Sequence, residues 1–221
     1  MKKIRITGLI LMTMACGFSY AQKTISEGTI TYNISTQSIE KSSQADPLKG
    51  ATNTIYLKGS LSRTDMLSSL GKETTIYDGK AGLEVILKEY SGQKLMITLT
   101  KENRATQNKK FEGINFETTS ETKQIAGYNC KKATAILKDG SLLTVYFAPE
   151  ININNKEYNP AFKNLPGLPV QYEFENGKLK FQYLLASIDF GPLPISKFDV
   201  PKSGYRVMTY DENRQERKVG Y

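Results

Sequence analysis

The sequence has 221 residues, with 30 Lys and Arg against 22 Asp and Glu for a formal charge of +8, two cysteines and no histidine. Without histidine the chain lacks the commonest general base and the commonest metal ligand, which excludes Ser-His-Asp and Cys-His nucleophilic chemistry. The charge is modest and dispersed; only "KENRATQNKK", Lys101 to Lys110, concentrates it, and with no aromatic residue to stack on a base this stretch reads as a solvated loop and predicts no nucleic-acid partner.

At the amino end, Lys2, Lys3 and Arg5 precede an apolar run from Ile6 to about Phe18, followed by the small-x-small pattern Ser19-Tyr20-Ala21. This predicts a signal peptide over residues 1–21 and a single antiparallel β domain over residues 22–221. A transmembrane helix needs roughly 20 apolar residues, and no later window approaches that length, so no integral membrane segment is expected after signal removal. "TMAC" offers a second processing route, with Cys16 in the place of a bacterial lipobox cysteine and lipid anchoring through it. Once Cys16 is gone, Cys130 has no partner in the chain. A lone cysteine in an apolar strand is a small buried hydrophobe or a reactive thiol.

"TITYNIS", residues 29–35, alternates Ile30, Tyr32 and Ile34 with polar residues, the period of a half-buried strand. A polar interruption, Gln37 to Gly50, has room for a short helix. Strands are then predicted around Ile55 and Leu57, from Thr74 to Tyr77, from Leu83 to Tyr90 and from Lys94 to Leu99, punctuated by Lys58-Gly59, Asp78-Gly79 and Ser91-Gly92. Beyond the basic loop, strand patterns run from Phe116 to Thr122, from Tyr128 to Leu137 and from Leu142 to Phe147. A second irregular segment follows, with a short helix near Tyr158 to Lys163. The last long strand pattern runs from Val170 to about Phe190, and "DENRQE", Asp211 to Glu216, closes the chain as a charged tail. The fold class is mainly β: a single curved antiparallel sheet with few short helices.

"NLPGLPVQYEFENGKLKFQY", Asn164 to Tyr183, gives the sharpest local expectation. A two-residue turn at Asn176-Gly177 sets Glu175 opposite Lys178 and Glu173 opposite Lys180 on one face, and Phe174 opposite Leu179, Tyr172 opposite Phe181 and Val170 opposite Tyr183 on the other. The corner before it, Pro166 to Pro169, is expected to carry positive φ at Gly167 and to break the ladder, so that it aims Val170. The apolar face Tyr172, Phe174, Leu179, Phe181 and Tyr183 is the candidate ligand-binding surface, either as the floor of a cavity or as filled core; periodicity fits both. No carboxylate pair, glycine-rich loop or ligand cluster predicts catalysis, a cofactor or a metal.

Three stretches, "TKQIAGYNCKKATAIL" (Thr122 to Leu137), "FKNLPGLPVQYE" (Phe162 to Glu173) and "FDVPKSGY" (Phe198 to Tyr205), together resemble the secreted Gram-negative bacterial family nicknamed GLPGLI. Pro169 departs from the namesake, standing where many members carry Leu or Ile. Such families are similar in pattern to the LolA and LolB lipoprotein carriers, whose curved sheet forms a half-barrel over a greasy cavity. The resemblance implies an exported, non-enzymatic binding protein of the periplasm or outer envelope that carries an apolar or lipid ligand. The alternative is a structural envelope protein that binds a protein partner through polar strand faces such as "TTSETK", Thr118 to Lys123.

Overall fold

The computed structural model describes residues 22–38, 48–176 and 179–219. The predicted signal peptide, the helix expected after Ile39 and the centre of the Asn176-Gly177 turn lie outside the described residues. In chain order the strands are β1 (Lys23–Ile25), β2 (Glu27–Ser38), β3 (Ala51–Lys58), β4 (Leu61–Ser68), β5 (Gly71–Asp78), β6 (Leu83–Tyr90) and β7 (Gln93–Leu99). Helix α1 (Lys101–Gln107) follows, then β8 (Glu117–Ile125), β9 (Tyr128–Ile136), β10 (Leu142–Ala148), β11 (Ile151–Ile153), β12 (Leu168–Asn176), β13 (Leu179–Asp189), β14 (Arg206–Thr209) and α2 (Tyr210–Val219).

Twelve of these strands form one sheet in the order β14-β7-β6-β5-β4-β3-β2-β13-β12-β10-β9-β8, and β1 pairs with β11 in a separate parallel ribbon. The large sheet is open, with β8 and β14 at its edges. It is antiparallel except where β14 runs parallel to β7. The expected mainly β architecture, an unclosed sheet with few short helices, is what the chain forms. Short turns such as Ala126-Gly127, where φ is +50° and +83°, join neighbouring strands in the twist that hairpins favour.

Three segments take a secondary structure that their sequence reading did not assign. Strand β4, "LSRTDMLS", shows no alternation because both its faces are covered: Ser62 is buried on one, while Arg63 and Asp65 are half-buried on the other. The basic loop is instead α1. Thr100 accepts from the Asn103 backbone N–H, and the Asn103 side chain accepts from the Thr100 N–H, a reciprocal cap that starts the helix. The charged tail is α2, preceded by β14.

One face of the sheet, here called inner, carries Ile30, Tyr32, Ile55, Leu57, Leu143, Val145, Val170 and Tyr172. The irregular segment 149–167 lies on this face. Its Ile151, Ile153, Tyr158, Ala161, Phe162 and Leu165 are buried in the same cluster. The expected short helix is present as two 3-10 turns, Lys156–Tyr158 and Pro160–Phe162.

The Pro-Gly-Leu-Pro corner ends this segment differently from the expectation. Leu168 and Pro169 already pair with Ala148 and Phe147 across a register shift in β10, so the ladder continues through the corner. Gly167 is absent from the positive-φ residues. Its need is space, since a Cβ there would stand 2.4 Å from the Ala148 carbonyl oxygen and 2.7 Å from the Phe147 ring. The Pro169 carbonyl accepts a buried 2.7 Å hydrogen bond from the Tyr32 hydroxyl, tying the corner to β2.

The β12–β13 register also differs from the prediction. Asn176 pairs with Leu179, Glu175 with Lys180, Phe174 with Phe181 and Tyr172 with Tyr183, two residues away from the expected pairing. A shift of two preserves the faces. It brings aromatic rings directly opposite one another, stacking Tyr172 on Tyr183 at 4.6 Å and 9°. It also lets Glu173 accept from Gln182 at 3.0 Å while Lys180 reaches the same carboxylate at 2.5 Å. The expected register satisfied both faces as well, with Tyr172 opposite Phe181; the observed one sets Tyr172 on Tyr183 and Phe174 opposite Phe181 instead.

Candidate functional site

Strand alternation puts Tyr172, Phe174, Phe181 and Tyr183 on the inner face; Leu179 pairs with Asn176 and Ser38, and its side chain lies outside the described residues. Tyr172 is 3% exposed and belongs to the core. Phe162, from the covering segment, meets it edge-on at 4.7 Å, and Tyr32 does so at 5.5 Å. Phe174 is half-buried between Phe111 at 6.2 Å, Phe162 at 6.1 Å and Tyr172 at 5.6 Å. Half-buried Phe181 and Tyr183 border a smaller cluster of Ile34, Leu48 and Ala51, joined by Met66 of β4. The predicted aromatic face is therefore continuous, covered at the Tyr172 end and partly exposed toward Phe181.

The inner face continues across β4 to β7 with different chemistry. Register places Met66, Glu73, Lys88 and Leu95 in one cross-strand row, and Thr64, Thr75, Ile86 and Ile97 in the next. The Lys88 ammonium lies 3.2 Å from the Glu73 carboxylate, and both side chains are only partly exposed. Burial raises the pKa of the Tyr183 phenol, and Glu73 adds to the rise; the same pair of causes raises that of Tyr90. Four strand positions separate β13 from β5 in the curved sheet, and Met66 of β4, which pairs with Glu73, packs against the same small cluster as Phe181 and Tyr183.

Arg104 of α1 joins the two regions. Its guanidinium donates to Glu84 on β6 at 2.9 Å and to the Glu157 carbonyl in the covering segment at 2.6 Å, and it lies 3.8 Å over the Tyr77 ring. Burial raises the Glu84 pKa against the opposing pull of Arg104. The residue lies inside the stretch whose composition reads as a solvated loop. The Thr100-x-x-Asn103 cap is the available signal that a helix would hold it in place. Glu73, Lys88 and Tyr90 escape the sequence reading as well, because only the strand register across the sheet places them on the same face as Tyr183.

A cavity of about 360 Å³ is walled by the inner face at Glu73, Ile86, Lys88 and Ile97, by Gln107 at the end of α1, and by Tyr210, Asn213 and Arg214 of α2. Cys130 is fully buried; burial pushes its thiol up to about 11, with Glu150 contributing, which fits a small core residue and not a nucleophile. Among the described residues no group of three or more His, Cys, Asp or Glu side chains could hold a metal ion, and no helix is long and apolar enough to cross a membrane.

Among solved structures, an uncharacterised conserved protein from Thermus thermophilus shares the fold at a TM-score of 0.50 and 11% identity, over 82% of this chain and 90% of that one. PNGF-II superposes at a TM-score of 0.48 and 13% identity over 86% of this chain, which spans 33% of its length. The Mycobacterium tuberculosis lipoprotein LppX superposes at a TM-score of 0.33 and 13% identity over 77% of this chain and 90% of that one. No curated protein matches the sequence. Residues 38–153, more than half of the chain, match a domain of unknown function, DUF4412, and the chain belongs to that family.

Proposed function

We propose that the protein is an exported, non-catalytic binding protein of the bacterial envelope that holds an apolar ligand, such as an acyl chain, against the uncovered part of its inner sheet face. The observation that carries this reading is the contrast along that face. Residues under segment 149–167 are core, whereas Met66, Tyr90, Phe174, Phe181 and Tyr183 stay partly exposed on one curved, continuous surface. Concave, mostly apolar surfaces with a few polar groups are where small ligands bind. The signal-like residues 1–21 support export.

The test is titration of the purified protein with a polarity-sensitive apolar fluorophore. Saturable binding is expected, weakened several-fold by Phe181→Gln with the thermal midpoint little changed, since a half-buried lining residue has fewer contacts to lose. A second reading, a partner-binding envelope protein, draws on β8, whose residues from Glu117 to Gln124 are all exposed. No saturable fluorophore binding by the parent protein would favour it.

A further inference from the structure

We infer that the cavity between the inner face and the two helices is a headgroup site, and that the ligand is a single-chain amphipath with an anionic head, such as a long-chain fatty acid. The inference rests on the apolar-ligand reading above and adds the chemistry of the ligand's polar end.

The cavity is amphipathic in cross-section. Its floor includes Ile86 and Ile97, which are 8% and 1% exposed and pack with Leu99 and Tyr210. Its rim holds Lys88, Arg214, Gln107 and Asn213. These supply cationic and amide N–H donors, against one carboxylate, Glu73, whose charge the adjacent Lys88 offsets at 3.2 Å. Gln107 and Arg214 are exposed and Asn213 is half-buried, so their donors are open to solvent and to a ligand. The surplus is thus one positive charge and a set of accessible donors over an apolar floor, complementary to a carboxylate or phosphate followed by a chain.

Glu73 connects this site to the aromatic face. It lines the cavity, and its cross-strand partner Met66 packs against the same small cluster of Ile34, Leu48 and Ala51 as Phe181 and Tyr183. A head seated against Arg214 and Lys88 therefore leaves its chain facing Tyr90, Tyr183, Phe181 and Met66. A cavity of about 360 Å³ is at the small end for ligand sites, which suits one head and the start of one chain better than a diacyl headgroup.

The experiment compares a fluorescent polyunsaturated fatty acid with its methyl ester at pH 8, below the concentration at which either aggregates. The full-length protein is expected to bind the acid about fivefold more tightly than the ester, the worth of one charge pair at a partly exposed site. That preference should shrink as salt is raised. Arg214→Glu, an exposed change on α2, should abolish the preference by weakening the acid alone; Lys88→Met should weaken it in the same direction. Equal affinity for acid and ester in the parent protein, or an equal loss for both in Arg214→Glu, overturns the headgroup site while leaving the apolar-ligand reading standing. Displacement of the probe by phosphatidylglycerol vesicles but not by free fatty acid overturns the single-chain assignment. Binding of neither probe overturns the apolar-ligand reading and this inference together.

Discussion

The hydroxyl of Tyr158 is buried beside Tyr32 and Tyr172 with no hydrogen-bond partner, whereas the Tyr32 hydroxyl donates to Pro169. Two substitutions that each delete one oxygen atom should therefore diverge. Tyr158→Phe removes an unsatisfied polar group and is expected to be neutral or to stabilise by about 1 kcal/mol; Tyr32→Phe removes a buried hydrogen bond to the Pro169 carbonyl and should destabilise by about 1 kcal/mol or more. Urea melts of both variants check this, and equal losses would contradict it. Asp65 makes a separate prediction. Burial pushes its carboxyl pKa up, but hydrogen bonds from Arg63 and Thr74 and the charges of Arg63 and Lys72 outweigh it, so the folded value lies below 3.8. With a depressed folded pKa, the unfolded chain binds the proton more readily. The contribution to stability is then present above about pH 4 and is lost as pH falls through the folded value. Asp65→Asn should be less stable than the parent at pH 7, with the gap narrowing toward about pH 2 in denaturant melts.

Within the elements, Gly167 and the α1 cap give the sharpest tests. A methyl group at residue 167 would meet backbone atoms of Ala148 at 2.4 and 2.9 Å, and these cannot move without disturbing the β10–β12 ladder. Gly167→Ala is expected to cost about 2 kcal/mol or more, read as a lowered denaturation midpoint. Had the corner needed only a left-handed glycine, space would have been available and backbone strain alone would set the cost. Strands with one polar face were legible because alternation survives in the sequence, as in β2. Strand β4 was not, because Asp65 accepts from Arg63 on the same strand and from Thr74 across the ladder, which covers its second face and mixes polar with apolar residues on both sides. Similarly, the faces of β12 and β13 followed from period two, but their register did not, because a shift of two keeps the same faces and pairs aromatic with aromatic in either case.

Across the whole molecule, Arg104 spans the two regions of the inner face through Glu84 and Glu157. Its side chain is 12% exposed and that of Glu84 is 7% exposed, so removing one partner leaves a charge with little water to solvate it. Arg104→Leu should cost about 3 kcal/mol, and adding Glu84→Leu should restore part of the loss, because the stranded carboxylate disappears with its partner. A thermal-shift or urea double-mutant cycle measures the coupling, and strict additivity would show that Arg104 is not a strut between the regions.

The sequence by itself determined the mainly β class, most strand positions, the aromatic composition of the β12–β13 face and the exclusion of histidine-dependent chemistry. Each of these depends on residue identity and on the two-residue period of a strand, which are local. Tertiary structure alone decided that segment 149–167 buries Tyr172 and leaves Phe181 half-buried, that α1 and α2 border a cavity, and that Glu73 and Lys88 share a sheet face with the aromatic residues. Those outcomes depend on curvature and on which distant segment lies over which strand, and the physical reason is that neither leaves a periodic trace in the chain.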